Sequence, residues 1–226
     1  MKYGILFSIV AALLVTTAVI HRGWHLLSLW PALSFAVVAI GYFRTGPSVF
    51  GKSPNGKLSF ANQAILLPYL LYLWSVWRCI RIVKRASAFD CLTEDIVIGR
   101  RLLSHEFPKN IDHVIDLTCE FTEPEVLRSH SYWSFQISDA SVPSPEEFQT
   151  WVRQSAELTG NLYIHCAEGH GRTGLFAAAL LLHRGHCSSP DDAIRFIQSK
   201  RPLVRLGKRQ LAALAEFHEA SNPSRL

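Results

Sequence analysis

Apolar residues fall along this 226-residue chain in two regimes: long uncharged blocks up to about residue 85, and short runs broken by charge beyond it. Tyr3 to Ile20 carries no charge over eighteen residues, enough for a helix across a bilayer core. A signal peptide is the alternative, because Lys2 precedes the run and Ala18 lies near its end. The run exceeds a usual signal core, however, and Trp24 to Phe43 follows at once, again uncharged. Trp24, Trp30, Tyr42 and Phe43 suit membrane interfaces, and Pro31 is tolerable inside a membrane helix. The pattern predicts a helical transmembrane hairpin over residues 1–44, turned at His21-Arg22-Gly23.

Residues 45–85 form a second segment. Thr45 to Lys57 is dense in Gly, Pro, Ser and Asn and is expected as a surface loop. Phe60 to Trp77 is apolar and leads into the basic run Arg78 to Arg85, suited to anionic lipid. This third hydrophobic stretch is either another span or an interfacial helix. With three spans and a cytosolic carboxyl half, Arg44, Lys52 and Lys57 face outward. With two, only Arg22 does, so the positive-inside count favours two spans plus an interfacial helix. The expected placement is thus a multi-pass membrane protein whose residues 86–226 face the cytoplasm.

From Ala86 the periodicities shorten. Ile96 to Gly99 predicts an edge strand, Ile111 to Leu117 a central strand, Tyr132 to Ile137 a third, and Asn161 to Ile164 a short buried one. Glu146 to Leu158 has helical spacing, with Ser144 and Glu147 forming a capping box. Leu175 to Leu182 predicts a buried helix, and amphipathic helices are expected over Pro190 to Ile197 and Gln210 to His218. Strands alternating with helices imply an α/β sheet with ligand at the carboxyl ends of its strands.

Charge and cysteine usage narrow the classes. Met1 to Arg85 holds nine Lys or Arg and no acid, whereas Ala86 to Leu226 holds fourteen basic and eighteen acidic residues. A nucleic-acid partner is not indicated by that division. Five cysteines at 79, 91, 119, 166 and 187 are odd in number and irregularly spaced, so neither a disulfide framework nor a zinc site is expected. His183, His186 and Cys187 are read as ending a helix rather than binding metal.

The chemistry concentrates in Ile164-His165-Cys166-Ala167-Glu168-Gly169-His170-Gly171-Arg172-Thr173-Gly174. A strand enters, a loop bearing Gly169, Gly171 and Gly174 turns, and a helix leaves. The glycines free the backbone to point successive N–H groups at one anion, and the helix N-terminus adds positive potential. Arg172 offers a planar fork for two phosphate oxygens. A cysteine at the floor of such a nest is expected as a thiolate.

Cys166-x5-Arg172-Thr173, preceded by His165, resembles the signature of the cysteine-dependent protein tyrosine and dual-specificity phosphatases. The resemblance implies their α/β fold, attack by Cys166 on phosphorus and a cysteinyl-phosphate intermediate. It further implies phosphate held by Arg172 and the amides of Ala167, Glu168, Gly169, His170 and Gly171, Thr173 aiding release of the sulfur, and His165 ordering the loop. Asp139 lies twenty-seven residues upstream, in a loop after a strand expected to end beside the one before Cys166. It resembles the family's general acid. Arg201-Pro202 and the later Gln210 resemble the family's closing segment, so the likeness runs over roughly residues 94 to 217. Gly51-Lys52-Ser53-Pro54-Asn55-Gly56 and Leu67-Pro68-Tyr69 resemble membrane-associated bacterial relatives.

Other carboxylates compete less well. Glu120 is given a structural or substrate-side role, Asp112 and Asp116 solvation or hydrogen bonding, and the Glu168 side chain a direction away from phosphate. His170 is open to two readings, a cation beside phosphate or an ordering hydrogen bond. Gln210 is open to facing the cradle or, the preferred reading, beginning a helix, and Arg201, Arg205, Lys208 and Arg209 either rim the site or solvate that end. No cofactor or metal is called for, since Arg172 and the amides supply positive charge. Phosphoproteins, or a phosphorylated lipid headgroup such as that of phosphatidylglycerophosphate, are the expected substrates, and membrane lipids the expected partners. A non-enzymatic phosphate-binding scaffold would need neither Cys166 nor Asp139.

Overall fold

The computed structural model describes residues 2–84 and 86–221. Packing divides the chain into two units, Met1–Arg85 with Cys119–Thr122, and Ala86–Thr118 with Glu123–Leu226.

The first unit is helical. α1 spans Lys2–His21, α2 spans Leu29–Ile40 within a helical stretch from Gly23 to Phe50, and α3 spans Phe60–Val83. All three stretches are long and apolar enough to cross a membrane. Between the first two, Arg22 and Gly23 take positive φ of 48° and 52°, reversing the chain in two residues. Where the helices meet, Phe7 and Phe35 set their rings edge-on to Tyr69, with centroids 5.3 and 5.5 Å away. Pro68 cannot donate to the Ala64 carbonyl, and the Trp30 indole N–H supplies that bond at 3.2 Å. Ser34 Oγ, also from α2, accepts the Tyr69 N–H at 3.2 Å. A proline inside an apolar helix is thereby satisfied by its neighbour.

The stretch after α2 departs from the expected surface loop. Phe50, Lys52 and Leu58 are buried, Lys52 bridges to Leu58 around a turn, and Gly51 takes a φ of 60°. The apolar residues at the ends of this polar segment decide its course, because they join the core of Leu66, Tyr69 and Leu70. Trp74 Nε1 donates to the Glu120 carbonyl at 3.2 Å, and the Leu58 N–H to Thr122 Oγ1 at 3.1 Å.

The second unit is a five-stranded sheet with helices. β1 is Phe89–Cys91, β2 Ile96–Arg100, β3 His113–Asp116, α4 Glu125–Arg128 and β4 Ser131–Ser134. α5 is Pro145–Ala156, β5 Leu162–Cys166, α6 Gly171–His183, α7 Pro190–Lys200 and α8 Lys208–Ser221. The strand order is β1-β2-β5-β3-β4, with β1 antiparallel to β2 and the others parallel. Two expectations are corrected here. β2 is not an edge, because the three-residue β1, too short for a periodic signal, pairs outside it. The central strand is β5, and β3 is its neighbour.

β5 is buried on both faces: Leu162, Ile164 and Cys166 join the core under α6, while Tyr163 joins Val114, Leu127 and Ile111 on the other side. α6 is buried from Arg172 to Leu181 and is flanked by α5, α7 and α8. Gly185, at a φ of 72°, ends it: its N–H reaches the Leu182 carbonyl and the His186 N–H the Leu181 carbonyl. The helix is thus terminated by a glycine and not by the neighbouring histidines. α5 begins with the expected box, Ser144 Oγ accepting the Glu147 N–H and Glu147 accepting the Ser144 N–H.

Phe176 is fully buried with its ring against those of Phe135 and Phe148. Phe176→Ala is expected to destabilise the protein by about 3–5 kcal/mol. Denaturant melts of the full chain in detergent, followed by tryptophan fluorescence, check this.

Candidate active site

The loop after β5 starts where three parallel strands end together. Register sets Arg100 and Asp116 beside the last residues of β5, Arg100 opposite Cys166 and Asp116 opposite His165. Cys166 is buried, and its Sγ accepts the Gly169 N–H at 3.3 Å. Gly169 has a φ of 72°, and a Cβ there would lie 2.4 Å from the Gly99 carbonyl. Gly171 and Gly174 serve differently from expectation. Neither has a positive φ; they sit in α6, where Gly171 faces the Gln210 amide and Gly174 faces Val204 and Leu206. They are packing glycines.

Arg172, in the first turn of α6, is buried under the loop. Its Nη1 donates to the Ile137 carbonyl at 2.9 Å and the Leu117 carbonyl at 3.5 Å, and its Nη2 lies 3.4 Å from Asp139 Oδ1. Two separate segments, those following β3 and β4, thus meet at one guanidinium. Asp139 does not reach it by the expected route: β3 lies between β4 and β5. The chain beyond β4 crosses the end of β3, with the Ile137 N–H on the Leu117 carbonyl, before turning back at Ser138 to Ser141. Ala140 occupies that turn at a φ of 53°. The Asp139 side chain is 58% exposed, so its carboxylate stays open to an incoming ligand.

Behind the loop lies a buried polar group. Asp116 Oδ1 accepts the Thr118 N–H and hydroxyl at 2.7 and 2.8 Å, and its Oδ2 accepts the Tyr132 hydroxyl. Burial and the charges of Asp116 and Glu123 push the Tyr132 phenol far up, which keeps it a neutral donor. His165 Nδ1 is 4.0 Å from Asp116 Oδ1, and its ring stacks on Tyr163. Glu123 Oε1 accepts from Arg101 Nε at 2.7 Å. Asp116, Glu123 and His165 bring one ligand atom each within 4.8 Å of one another, the donor set of a cation site. Thr118 and Tyr132 donate to Asp116 and Arg101 donates to Glu123, so both carboxylates already hold protein donors.

The remaining residues fall into place around the loop. Glu168 turns its carboxylate to His170 Nδ1, 3.6 Å away. Thr173 Oγ1 is buried and has no hydrogen-bond partner among the described residues. Gln210 does begin α8, its Oε1 accepting the Gly207 N–H at 3.0 Å, and its amide also packs on Gly171. Glu120 Oε2 accepts the Cys119 N–H. Asp112 accepts the Asn161 N–H.

Arg201 neither rims the site nor meets solvent. It is buried, with Nε on the Gly169 carbonyl at 2.9 Å and Nη2 on the Glu168 carbonyl at 3.3 Å. The only signal in the sequence is an arginine in the closing segment.

The family pattern described as "Dual specificity phosphatase, catalytic domain" matches residues 103–220, about half of the chain. The chain belongs to the dual specificity phosphatase family. The human protein named "Phosphatidylglycerophosphatase and protein-tyrosine phosphatase 1" is 25% identical over 134 residues, covering 54% of this chain and 65% of its own. A viral relative, 197R of Invertebrate iridescent virus 6, is 31% identical over 106 residues, covering 42% and 40%. This chain therefore spans less than two thirds of either relative. Among solved structures, PTPMT1 in complex with PI(5)P superposes with a TM-score of 0.54 at 18% identity, covering 62% of this chain and all of that one. Tk-PTP in its active form gives 0.52 at 22% identity, covering 58% and 97%. These structures share the fold of the second unit.

The two kinds of glycine separate experimentally. Gly169→Ala meets backbone at a positive φ and is expected to cost about 1–3 kcal/mol. Gly171→Ala meets only the end of the Gln210 side chain, 3.1 Å away, in a helix that favours alanine. Thermal melts are expected to rank the first far below the second, and equal losses would overturn this assignment.

Proposed function

We propose that the protein is a membrane-anchored phosphoric monoester hydrolase working through a cysteinyl-phosphate. The carrying observation is that Arg172 lies 3.4 Å from Asp139 under a loop whose Gly169 N–H meets the Cys166 sulfur. We read Cys166 as the nucleophile, Arg172 as the phosphate-binding cation and Asp139 as the acid.

In this mechanism the Cys166 thiolate attacks phosphorus in line, and the ester P–O bond breaks as Asp139 protonates the leaving oxygen. Arg172 and the amides from Ala167 to Gly171 hold the remaining oxygens. Asp139, now a carboxylate, takes a proton from water that attacks the phosphocysteine. The P–S bond breaks, and the sulfur leaves as a thiolate supported by the Gly169 N–H and the Thr173 hydroxyl. His165, held among Asp116 and Tyr163, fixes the end of β5. No metal enters these steps.

The substrate we favour is a phosphorylated lipid headgroup, and the catalytic region is residues 86–226 on the cytoplasmic side. Support comes from three apolar helical stretches whose large side chains, Leu13, Val19, Leu33 and Leu71 among them, lie exposed as lipid would have them. Five free thiols and the basic run Arg78 to Lys84 fit a cytoplasmic placement. The human relative's name includes phosphatidylglycerophosphatase, and PTPMT1 was solved with PI(5)P. That same name includes protein-tyrosine phosphatase, which makes a phosphoprotein the second reading.

Cys166→Ser is expected to abolish phosphate release while retaining substrate binding; turnover by that variant defeats the mechanism. Asp139→Ala is expected to lose about 10²-fold or more on alkyl phosphates and much less on p-nitrophenyl phosphate, whose leaving group needs no proton. On phosphatidylglycerophosphate vesicles the full-length protein is expected to exceed its kcat/KM on phosphotyrosine peptides by at least about tenfold, a difference of 1.4 kcal/mol in the barrier. The reverse order replaces the lipid reading with the protein one.

A further inference from the structure

We propose that Arg201 is a positioning residue that keeps the phosphate loop's amides facing the anion, and that it is held by Ser87 and Asp90, which precede the stretch covered by the family pattern. The inference rests on reading that loop as the phosphate site.

A trans peptide is planar, with its carbonyl and N–H pointing opposite ways. Fixing a carbonyl on the outside of a loop therefore aims the following N–H inward. The Ala167 carbonyl accepts the Arg101 N–H at 3.3 Å, the Glu168 carbonyl accepts Arg201 Nη2 at 3.3 Å, and the Gly169 carbonyl accepts Arg201 Nε at 2.9 Å. The amides sharing those three peptide planes belong to Glu168, Gly169 and His170. For Gly169 the inward direction is seen, since its N–H meets Cys166 Sγ. One guanidinium thus orients two consecutive amides of the three.

Arg201 can do this because its other edge is occupied. Nη1 donates to the Ser87 carbonyl at 3.1 Å and pairs with the Asp90 carboxylate. The pair neutralises a cation whose side chain is only 4% exposed. Ser87 and Asp90 lie at the start of the second unit, on and just before β1, whereas the family pattern begins at residue 103. The catalytic unit therefore extends upstream of its recognisable pattern. A lysine at 201 would keep the charge but not the fork that spans two carbonyls.

The test uses full-length protein in detergent, with inorganic vanadate as the anion probe and p-nitrophenyl phosphate as the substrate. Arg201→Lys and Asp90→Asn are each expected to weaken vanadate inhibition about tenfold or more and to lower kcat, as misaligned oxyanion donors do, with melting temperatures close to the parent's. The double variant is expected to lose little beyond the worse single one, because both act on one contact. Arg205→Ala, at an exposed neighbour bonded to the Pro202 carbonyl, is expected to change neither reading. Folded Arg201→Lys and Asp90→Asn proteins that bind vanadate like the parent overturn the proposal. Asp90→Asn, isosteric and at a partly exposed position, decides the matter alone if the Arg201 variants do not fold. Failure of the parent itself to bind vanadate would instead defeat the phosphatase reading.

Discussion

A planar peptide cannot turn its carbonyl outward without turning its N–H inward, and the loop after β5 is built on that constraint. Its carbonyls are engaged by the Arg101 amide and the Arg201 guanidinium, and the Gly169 N–H is turned to the Cys166 sulfur. The turn this requires passes through Gly169, where a side chain would collide with the β2 backbone. Because β5 is the central strand, flanked in parallel by β2 and β3, the loop is supported on both sides and needs little flexibility of its own.

Polar burial beneath the loop follows from the same demand. Asp116 takes donors from Thr118 and Tyr132, and Glu123 takes one from Arg101, so carboxylates that would be costly singly are held by donors beside His165. Asp139 contrasts with that set. It lies on an exposed turn beside Arg172, a position that suits the acid proposed for it.

The helical unit solves a different problem with similar means. Backbone groups freed by Pro68 find partners on α2, and aromatic rings fill the space between helices. Its outer surface is left apolar, which water would oppose and hydrocarbon would not. That apolar surface is the physical ground on which a membrane anchor, and with it a lipid substrate, is proposed.

Features set by local spacing were legible in the chain itself. Cys166, Gly169 and Arg172 are close in sequence, so a strand-to-helix loop brings them together wherever it folds, and long apolar runs declare helices without tertiary help. The buried character of β5 and α6 was legible for the same reason. The edge strand β1, the place of β3 between β4 and β5, and the burial of Phe50 and Lys52 were not, since strand order and the fate of a polar segment are settled by partners far along the chain. Arg201 is the plainest instance. Its four partners lie 32 to 114 residues away and three of them are backbone carbonyls, which have no residue identity to read. Residue types and spacing determined the chemistry available here, and only the tertiary structure decided which groups hold it in place, because a hydrogen bond to the main chain leaves no mark on the sequence of the residue that accepts it.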